Sequence, residues 1–113
     1  MSNCLFCQII AGDIPATIVY RGIDVVAFRD ISPQAPTHIL VVTTKHLTSV
    51  AAMQPGDVDR VGGLIATAAR IAASEDFQHG YRLVINTGAQ GGQSVDHLHV
   101  HLLGGRQMTW PPG

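Results

Sequence analysis

Hydrophobic and polar residues alternate with a period of two between positions 97 and 102. Three histidines interleave there with three aliphatic residues, in the order His97, Leu98, His99, Val100, His101 and Leu102. This period is typical of a half-buried β-strand, because successive side chains of a strand point to opposite faces. We therefore predict a strand that carries three imidazoles on one face and buries three aliphatic side chains on the other.

The remaining patterns predict two helices and four more strands. A short helix over 4–11 has Leu5 and Ile9 four residues apart, and Gly12 ends it. Runs of β-branched and aromatic residues predict strands over 17–20, 25–28, 38–44 and 81–86. A long helix is predicted over 55–77, and its apolar stripe consists of Val58, Val61, Ile65, Ala68 and Ile71 or Ala72. This order of elements indicates one α+β domain over 1–113, built on an antiparallel sheet.

The composition of the chain restricts which binding partners and which cellular compartments we expect. The chain is 46% hydrophobic but only 13% charged, against a usual charged fraction of about 25%. An apolar face hidden in an oligomer would explain the difference, and so would an ordinary compact core. The net charge of −1, without a cluster of Lys or Arg, argues against an extended nucleic-acid surface. No apolar run is long enough to cross a membrane and no targeting segment is visible, so we expect a cytoplasmic protein.

The histidine segment has three interpretations. The imidazoles could lie on a solvated sheet face, although strand faces usually carry other residue types. They could bind zinc, since histidines two apart on a strand can share a metal. The middle imidazole could also be a nucleophile between two orienting neighbours. The preceding Gly91-Gly92-Gln93-Ser94 favours the last interpretation, because glycine amides and a hydroxyl can hold a phosphate.

The segment 97–103 matches the His-x-His-x-His-x-x motif, with apolar x, of the histidine triad (HIT) superfamily. Segments 30–38, 91–95, 104–108 and 110–113 resemble the Hint branch, the purine nucleoside phosphoramidases. The resemblance implies the HIT fold, with a five-stranded antiparallel sheet, one long helix and a short N-terminal helix. It also implies a homodimer in which two subunits form a ten-stranded sheet.

The resemblance implies a reaction and its residues. The substrate would be a purine nucleotide phosphoramidate, such as an AMP or GMP amidate, or an aminoacyl-adenylate, and no metal would be needed for catalysis. His99 matches the family's nucleophile, and His101 would contact the phosphate and help proton transfer to the leaving amine. Ser94 and the backbone of Gly92 and Gln93 would stabilise the phosphoryl oxygens. His38 would support the nucleophile's strand, and His97 would be a structural or ligand position.

The nucleoside-binding residues follow from the same resemblance. Phe28 and Ile31 would hold the purine, Asp30 would accept hydrogen bonds from both ribose hydroxyls, and Ile14 and Asn86 would complete the pocket. Trp110 would reach toward the active site across the dimer. Without the resemblance, Phe28 and Ile31 could equally be core residues.

Cys4 and Cys7 have the spacing of half a structural zinc site. A redox pair would need a βαβ context, which the sequence lacks, and two small buried thiols are a further alternative. Relatives in the wider superfamily, including hexose-1-phosphate uridylyltransferases, complete such a site with two histidines. The matching positions here are His46 and His97, so we expect a structural zinc ion bound by these four residues.

The sequence is also compatible with three alternative functions. The chain could be a nucleotide-binding or interaction module without catalysis, since a fold does not establish turnover. It could be a zinc hydrolase that uses its three clustered histidines as ligands. Within the superfamily, it could be a dinucleoside polyphosphate hydrolase.

Overall fold

The computed structural model describes residues 3–113. They form one five-stranded sheet, in which all neighbouring strands are antiparallel and the order is β1-β2-β3-β5-β4. The strands are β1 (Ile18–Arg21), β2 (Val25–Arg29), β3 (Thr37–Thr43), β4 (Tyr81–Val84) and β5 (His99–Gly104). The helices are α1 (Leu5–Ala11) and α2 (Val58–Ser74), with 3₁₀ turns at Val50–Ala52 and Pro55–Asp57. The predicted α+β class, five strands and two helices are confirmed.

The short helix and the first hairpin form where the sequence predicts them. Cys4 caps α1, because its sulfur accepts a hydrogen bond from the Cys7 amide, and Gly12 ends the helix with a left-handed φ of 85°. Strands β1 and β2 pair as an antiparallel hairpin, with an irregular register between Ile18 and Tyr20. The long helix starts later than predicted, since residues 55–57 form a 3₁₀ turn, and it stops at Ser74.

The predicted stripe of α2 is partly wrong. Val61, Ala68, Ile71 and Ala72 are buried as expected, whereas Val58 and Ile65 are 60% and 47% exposed. Leu64 and Thr67 are buried in their place. The stripe rotates because the helix packs mainly across β3 and β5, with a smaller contact to β2. The side of α2 that carries Ile65 therefore faces away from the sheet.

The two faces of the sheet are covered by different elements. Val100 and Leu102 of β5 join the cluster under α2, together with Ile39 and Val41 of β3. The opposite face carries a second cluster that α1 covers, whose members are Phe6, Ile9, Val26, Phe28, Leu40 and Val42. His99 pairs with Val42 and His101 with Leu40 in the register, so these imidazoles lie on the α1 face.

His97 lies in a bend just before β5, not within the strand as predicted. The next amide, that of Leu98, donates to the Leu47 carbonyl at 2.6 Å. The ring of His97 nevertheless lies on the α1 face, because Phe6 contacts both His97 and His99 edge to face. Among the described residues, neither helix combines the length and hydropathy that crossing a bilayer requires.

Candidate active site

His99 is a buried imidazole with one ring nitrogen engaged. It is 4% exposed, and its Nδ1 lies 2.7 Å from the main-chain oxygen of His97. Because a carbonyl oxygen only accepts, Nδ1 carries the hydrogen and Nε2 carries a lone pair. Burial lowers the pKa of His99, more than the hydrogen bond to His97 and the charge of Asp30 raise it. The ring is therefore neutral at pH 7, with a nucleophilic nitrogen at Nε2.

His101 is held in the opposite tautomer. The Gln34 amide donates to Nδ1 of His38 at 3.0 Å, so the hydrogen of the neutral His38 ring is on Nε2. That nitrogen lies 2.9 Å from Nδ1 of His101 and donates to it. The hydrogen of His101 is therefore on Nε2. Burial, helped by His99 and His38, lowers the pKa of His101 to about 4, and burial also lowers the pKa of His38.

Asp30 supplies a carboxylate beside these rings. One oxygen lies 3.5 Å from Nε2 of His38, and the other accepts a hydrogen bond from the Ser32 amide at 2.8 Å. The ligand atoms of Asp30, His38 and His101 also lie within 4.8 Å of one another. A cation bound there would have to break the hydrogen bond between the two imidazoles. The group therefore fits a hydrogen-bonded site better than a metal site.

The glycine-rich segment 88–94 forms a turn that internal hydrogen bonds hold together. The Gly92 amide donates to Ala89 and the Gln93 amide to Gly88. The Gln93 side chain donates to the Thr48 and Val95 carbonyls and accepts from the Gly88 amide. Ser94 is exposed, and within residues 3–113 neither its amide nor its hydroxyl has a hydrogen-bond partner. Ser94 is thus the residue of this turn that can offer an anion both an amide and a hydroxyl donor.

The residues expected to bind the nucleoside differ in their exposure to solvent, since some are buried and others are almost fully exposed. Phe28 is 3% exposed and packs edge to face on Phe6, and Ile14 packs on the same cluster. Ile31, next to Asp30, is 96% exposed. Trp110 is 83% exposed and contacts none of the histidine rings.

Asn86 donates weakly to the Gly92 carbonyl at 3.5 Å. It therefore belongs to the glycine-rich turn. The single chain brings Phe28 and Ile14 to the face of His99, and leaves Ile31 and Trp110 exposed.

Cys4, Cys7, His46 and His97 meet at the other end of the histidine segment. Their four ligand atoms lie within 4.8 Å of one another. Nδ1 of His97 is 3.2 Å from the Cys4 sulfur and 3.5 Å from the Cys7 sulfur, and Nδ1 of His46 is 3.3 Å from the Cys7 sulfur. Tetrahedral zinc with its usual bond lengths places sulfur and nitrogen ligands about 3.5 Å apart. The four side chains therefore fit zinc.

The tautomer of His97 also suits a metal ligand. Its Nε2 lies 2.7 Å from the Thr43 carbonyl, so Nε2 carries the hydrogen and Nδ1 directs a lone pair at the sulfurs. Such a hydrogen bond from the second ring nitrogen is the usual support of a zinc-bound imidazole. Burial lowers the pKa of His97, which keeps it neutral.

Sequence reasoning did not find three contributors to the site. The Gln34 amide and the Thr43 carbonyl set tautomers, and Phe6 shields His97 and His99 from water. The first two are main-chain groups, which every residue has, so no residue type marks them. Phe6 has the pattern of an ordinary core residue of an amphipathic helix.

Comparison with known proteins gives consistent matches over nearly the whole chain. The HIT domain family model matches residues 11–108. A 14 kDa zinc-binding protein from Zea mays is 50% identical over 114 residues, covering 99% of this chain and 89% of the relative. An adenylylsulfatase HINT1 from Arabidopsis thaliana is 47% identical over 114 residues, covering 99% of this chain and 78% of the relative. The crystal structure of a HIT family hydrolase from Legionella pneumophila Philadelphia 1 has a TM-score of 0.96 and 49% identity, covering 98% of this chain and 100% of that one.

Proposed function

The chain belongs to the HIT domain family, in its Hint-like branch, and on that basis we propose that it hydrolyses purine nucleoside 5′-phosphoramidates. The substrates are AMP and GMP amidates, from which an amine leaves. Aminoacyl-adenylates are related substrates, in which phosphorus bears an acyl oxygen instead and a carboxylate leaves. The observation that carries the proposal is the pair of neighbouring neutral imidazoles in opposite tautomers. His99 presents a lone pair at Nε2, and His101 presents a hydrogen at Nε2.

The reaction has two halves that share one phosphorus. In the first, the Nε2 lone pair of His99 forms a bond to phosphorus while the bond to the amine breaks. The electron pair of that bond stays on the amine nitrogen, which takes up one proton from solvent as it leaves. In the second, water forms a bond to phosphorus, the electron pair of the P–N bond returns to His99, and a proton is released. That proton balances the one that left with the amine.

The surrounding groups stabilise charge and orient the nucleotide. The Nε2 hydrogen of His101 and the amide and hydroxyl of Ser94 donate to phosphoryl oxygens, whose negative charge grows in the transition state. Asp30 accepts from the ribose hydroxyls. Phe28 and the exposed Ile31 hold the purine, and burial of Ile31 by the base would remove an exposed apolar side chain from water.

A fluorogenic adenosine phosphoramidate tests the proposal. The wild-type protein should release the fluorophore, and His99→Ala should abolish release while retaining nucleotide binding measured by calorimetry. His79→Ala is the matched control, since His79 is an exposed histidine outside the site. If His99→Ala turns over at more than a tenth of the wild-type rate, His99 is not the nucleophile. If the wild type shows no turnover, the protein lacks the proposed activity.

Hydrolysis of adenylyl sulfate is a second candidate function. It is favoured by the relative named adenylylsulfatase, which is 47% identical. The same attack of His99 on phosphorus would expel sulfate, a leaving group that needs no proton. Parallel rates on an AMP amidate, adenylyl sulfate and diadenosine triphosphate rank the substrates. A protein that binds AMP but turns over none of them is the non-catalytic binding module.

We also propose that Cys4, Cys7, His46 and His97 hold a structural zinc ion. The ion would tie α1 to the segment before β5. The relative from Zea mays that is named a zinc-binding protein supports this proposal. The metal is not required for the attack of His99. The cytosol is the proposed compartment, since its reducing conditions keep both thiols available to the metal.

Elemental analysis of untagged protein should find about one zinc per chain, as expected for one four-ligand site. The variant Cys4→Ser/Cys7→Ser should contain none and melt at a lower temperature. If wild-type protein contains no metal even after preparation in a buffer that contains zinc, the proposed zinc site is wrong. Retention of phosphoramidase activity after EDTA treatment is expected and separates this site from a zinc-dependent catalytic mechanism.

The proposed homodimer pairs the β4 edges of two sheets into ten strands. The other edge strand, β1, has an irregular register, which disfavours pairing, whereas the pairing of β4 with β5 is regular. The exposed side of α2, with Val58 and Ile65, supplies apolar surface for the second copy. Sedimentation should give twice the chain mass of 12.0 kDa. Ile65→Lys should shift the protein toward monomer, and Ile23→Lys, in the exposed hairpin turn, should not.

A further inference from the structure

We propose that Arg106 is a positioning residue for this reaction. It holds the loop 30–36 in place, so that the Gln34 amide can determine the tautomer of His38. His38 in turn determines the tautomer of His101. This inference rests on the proposed function, in which the Nε2 hydrogen of His101 bonds the phosphoryl group. Arg106 itself touches none of the reacting atoms.

The tautomer of His101 depends on a single main-chain amide. The Gln34 amide occupies Nδ1 of His38, which leaves the hydrogen of His38 on Nε2 and a lone pair on Nδ1 of His101. If the amide withdrew, His38 could carry its hydrogen on Nδ1 and accept from His101 instead. His101 would then present a lone pair at Nε2, and repel a phosphoryl oxygen that it should bind.

Arg106 fixes the residue that supplies this amide. Its Nε donates to the Gln34 carbonyl at 2.9 Å, and its Nη1 donates to the Gln107 carbonyl at 3.3 Å. The amide and carbonyl of Gln34 flank one Cα, so a shift of the carbonyl moves the amide as well. The planar guanidinium uses two separate nitrogens here, which a lysine ammonium cannot reproduce in the same geometry.

The neighbouring residue brings Arg106 close to the loop. Gly105 has a left-handed φ of +94°, and a Cβ on it would lie 2.9 Å from the Cβ of Pro36. The chain therefore passes against the loop directly after β5, the strand that carries His101. Arg106 thus links the end of the strand that bears the donor to the loop that determines its tautomer.

Arg82 offers a matched control. It lines the same cavity of about 580 Å³ as Arg106, and its Nη2 donates to the Thr109 carbonyl at 2.9 Å. It therefore makes the same kind of bond to the C-terminal segment but has no bond to the loop 30–36. Arg82→Ala removes an equal charge and a similar hydrogen bond without disturbing Gln34.

The direct measurement is the tautomer. Long-range ¹H–¹⁵N spectra of protein with ¹⁵N-labelled histidine distinguish a hydrogen on Nδ1 from one on Nε2, and comparison with His101→Gln assigns the signal. Near neutral pH, His101 should carry its hydrogen on Nε2 in the wild type and in Arg82→Ala. Arg106→Ala and Arg106→Lys should show a mixture of tautomers. The kcat of Arg106→Ala should fall on the order of 10- to 100-fold, with a smaller change in KM, as expected for misplacement of a group in the transition state.

A second pair of variants tests the amide without touching Arg106. Gln34→Pro deletes the amide hydrogen, whereas Gln34→Ala retains it and removes only the side chain, which donates to the Ser32 carbonyl. Gln34→Pro should shift His101 toward the other tautomer, and Gln34→Ala should not. If melting curves show that Arg106→Ala does not fold, Arg106→Lys tests the guanidinium in its place, and the Gln34 pair tests the amide.

Several results would overturn the inference. One is a wild-type His101 with its hydrogen on Nδ1, and another is an unchanged tautomer in Arg106→Ala, whatever its rate. Equal loss of kcat in Arg82→Ala and Arg106→Ala would show a general effect on the C-terminal segment. A wild type with the expected tautomer but no phosphoramidase turnover would instead contradict the proposed function, so the two failures are distinguishable.

Discussion

The low pKa of His101 predicts a loss of folding stability in acid. Free imidazole titrates near 6.5, whereas the pKa of His101 in the folded protein is about 4. The unfolded chain therefore takes up a proton between these values that the folded chain does not. The stability linked to His101 is fully present above pH 6.5, falls as the pH decreases toward 4, and is constant below that.

The size of this effect follows from the difference of about 2.5 between the two pKa values. At 1.36 kcal/mol for each unit it amounts to about 3.4 kcal/mol. His101 is only part-buried, and solvent screening reduces the contribution to roughly 2 kcal/mol. Burial also lowers the pKa of His38 and His99, so the whole protein should lose more than this in acid.

Urea unfolding between pH 7.5 and 4.5 measures the effect, with His101→Gln as the comparison. Both proteins should carry Cys4→Ser/Cys7→Ser, because acid release of a metal would otherwise add its own pH dependence. When the pH is lowered over this range, the free energy of unfolding should decrease by roughly 2 kcal/mol less in the variant than in the parent. An identical pH dependence in the two proteins would refute the assignment of a part-buried, neutral imidazole at position 101.

Three further predictions concern single side chains. His101→Ala should lower kcat about 10²- to 10³-fold on an adenosine phosphoramidate, the usual effect of removing one donor to a developing oxyanion. Asp30→Asn should raise the KM of ribonucleotides about tenfold and change that of 2′-deoxynucleotides less, since a charged acceptor is lost to the ribose. Gly104→Ala should cost about 1–3 kcal/mol in chemical unfolding, because the new Cβ would overlap the Phe77 ring. Equal KM effects on both sugars, or a Gly104→Ala protein as stable as the wild type, would contradict these arguments.

Local sequence patterns were sufficient for the number and order of the helices and strands, because most of these elements have a short-range physical cause. Gly12 ends α1 because only glycine adopts its left-handed φ without strain, and the alternation after His97 buries Val100 and Leu102. The first residue of α2 could not be predicted from such local patterns. Pro55 is compatible with either kind of first turn, and the buried carboxylate of Asp57 binds Lys45 and the Gln54 amide from outside the helix.

The sequence alone determined which side chains are available for chemistry: an alternating strand, a hydroxyl after glycines, and two thiols three positions apart. Tertiary structure decided what state those groups are in. The tautomers of His99, His101 and His97 depend on carbonyl, ring and amide partners that lie between 2 and 67 positions away along the chain, and burial beneath α1 lowers their pKa values. Hydrogen-bond direction is a property of atoms in space, and no residue pattern encodes which nitrogen of an imidazole faces a carbonyl.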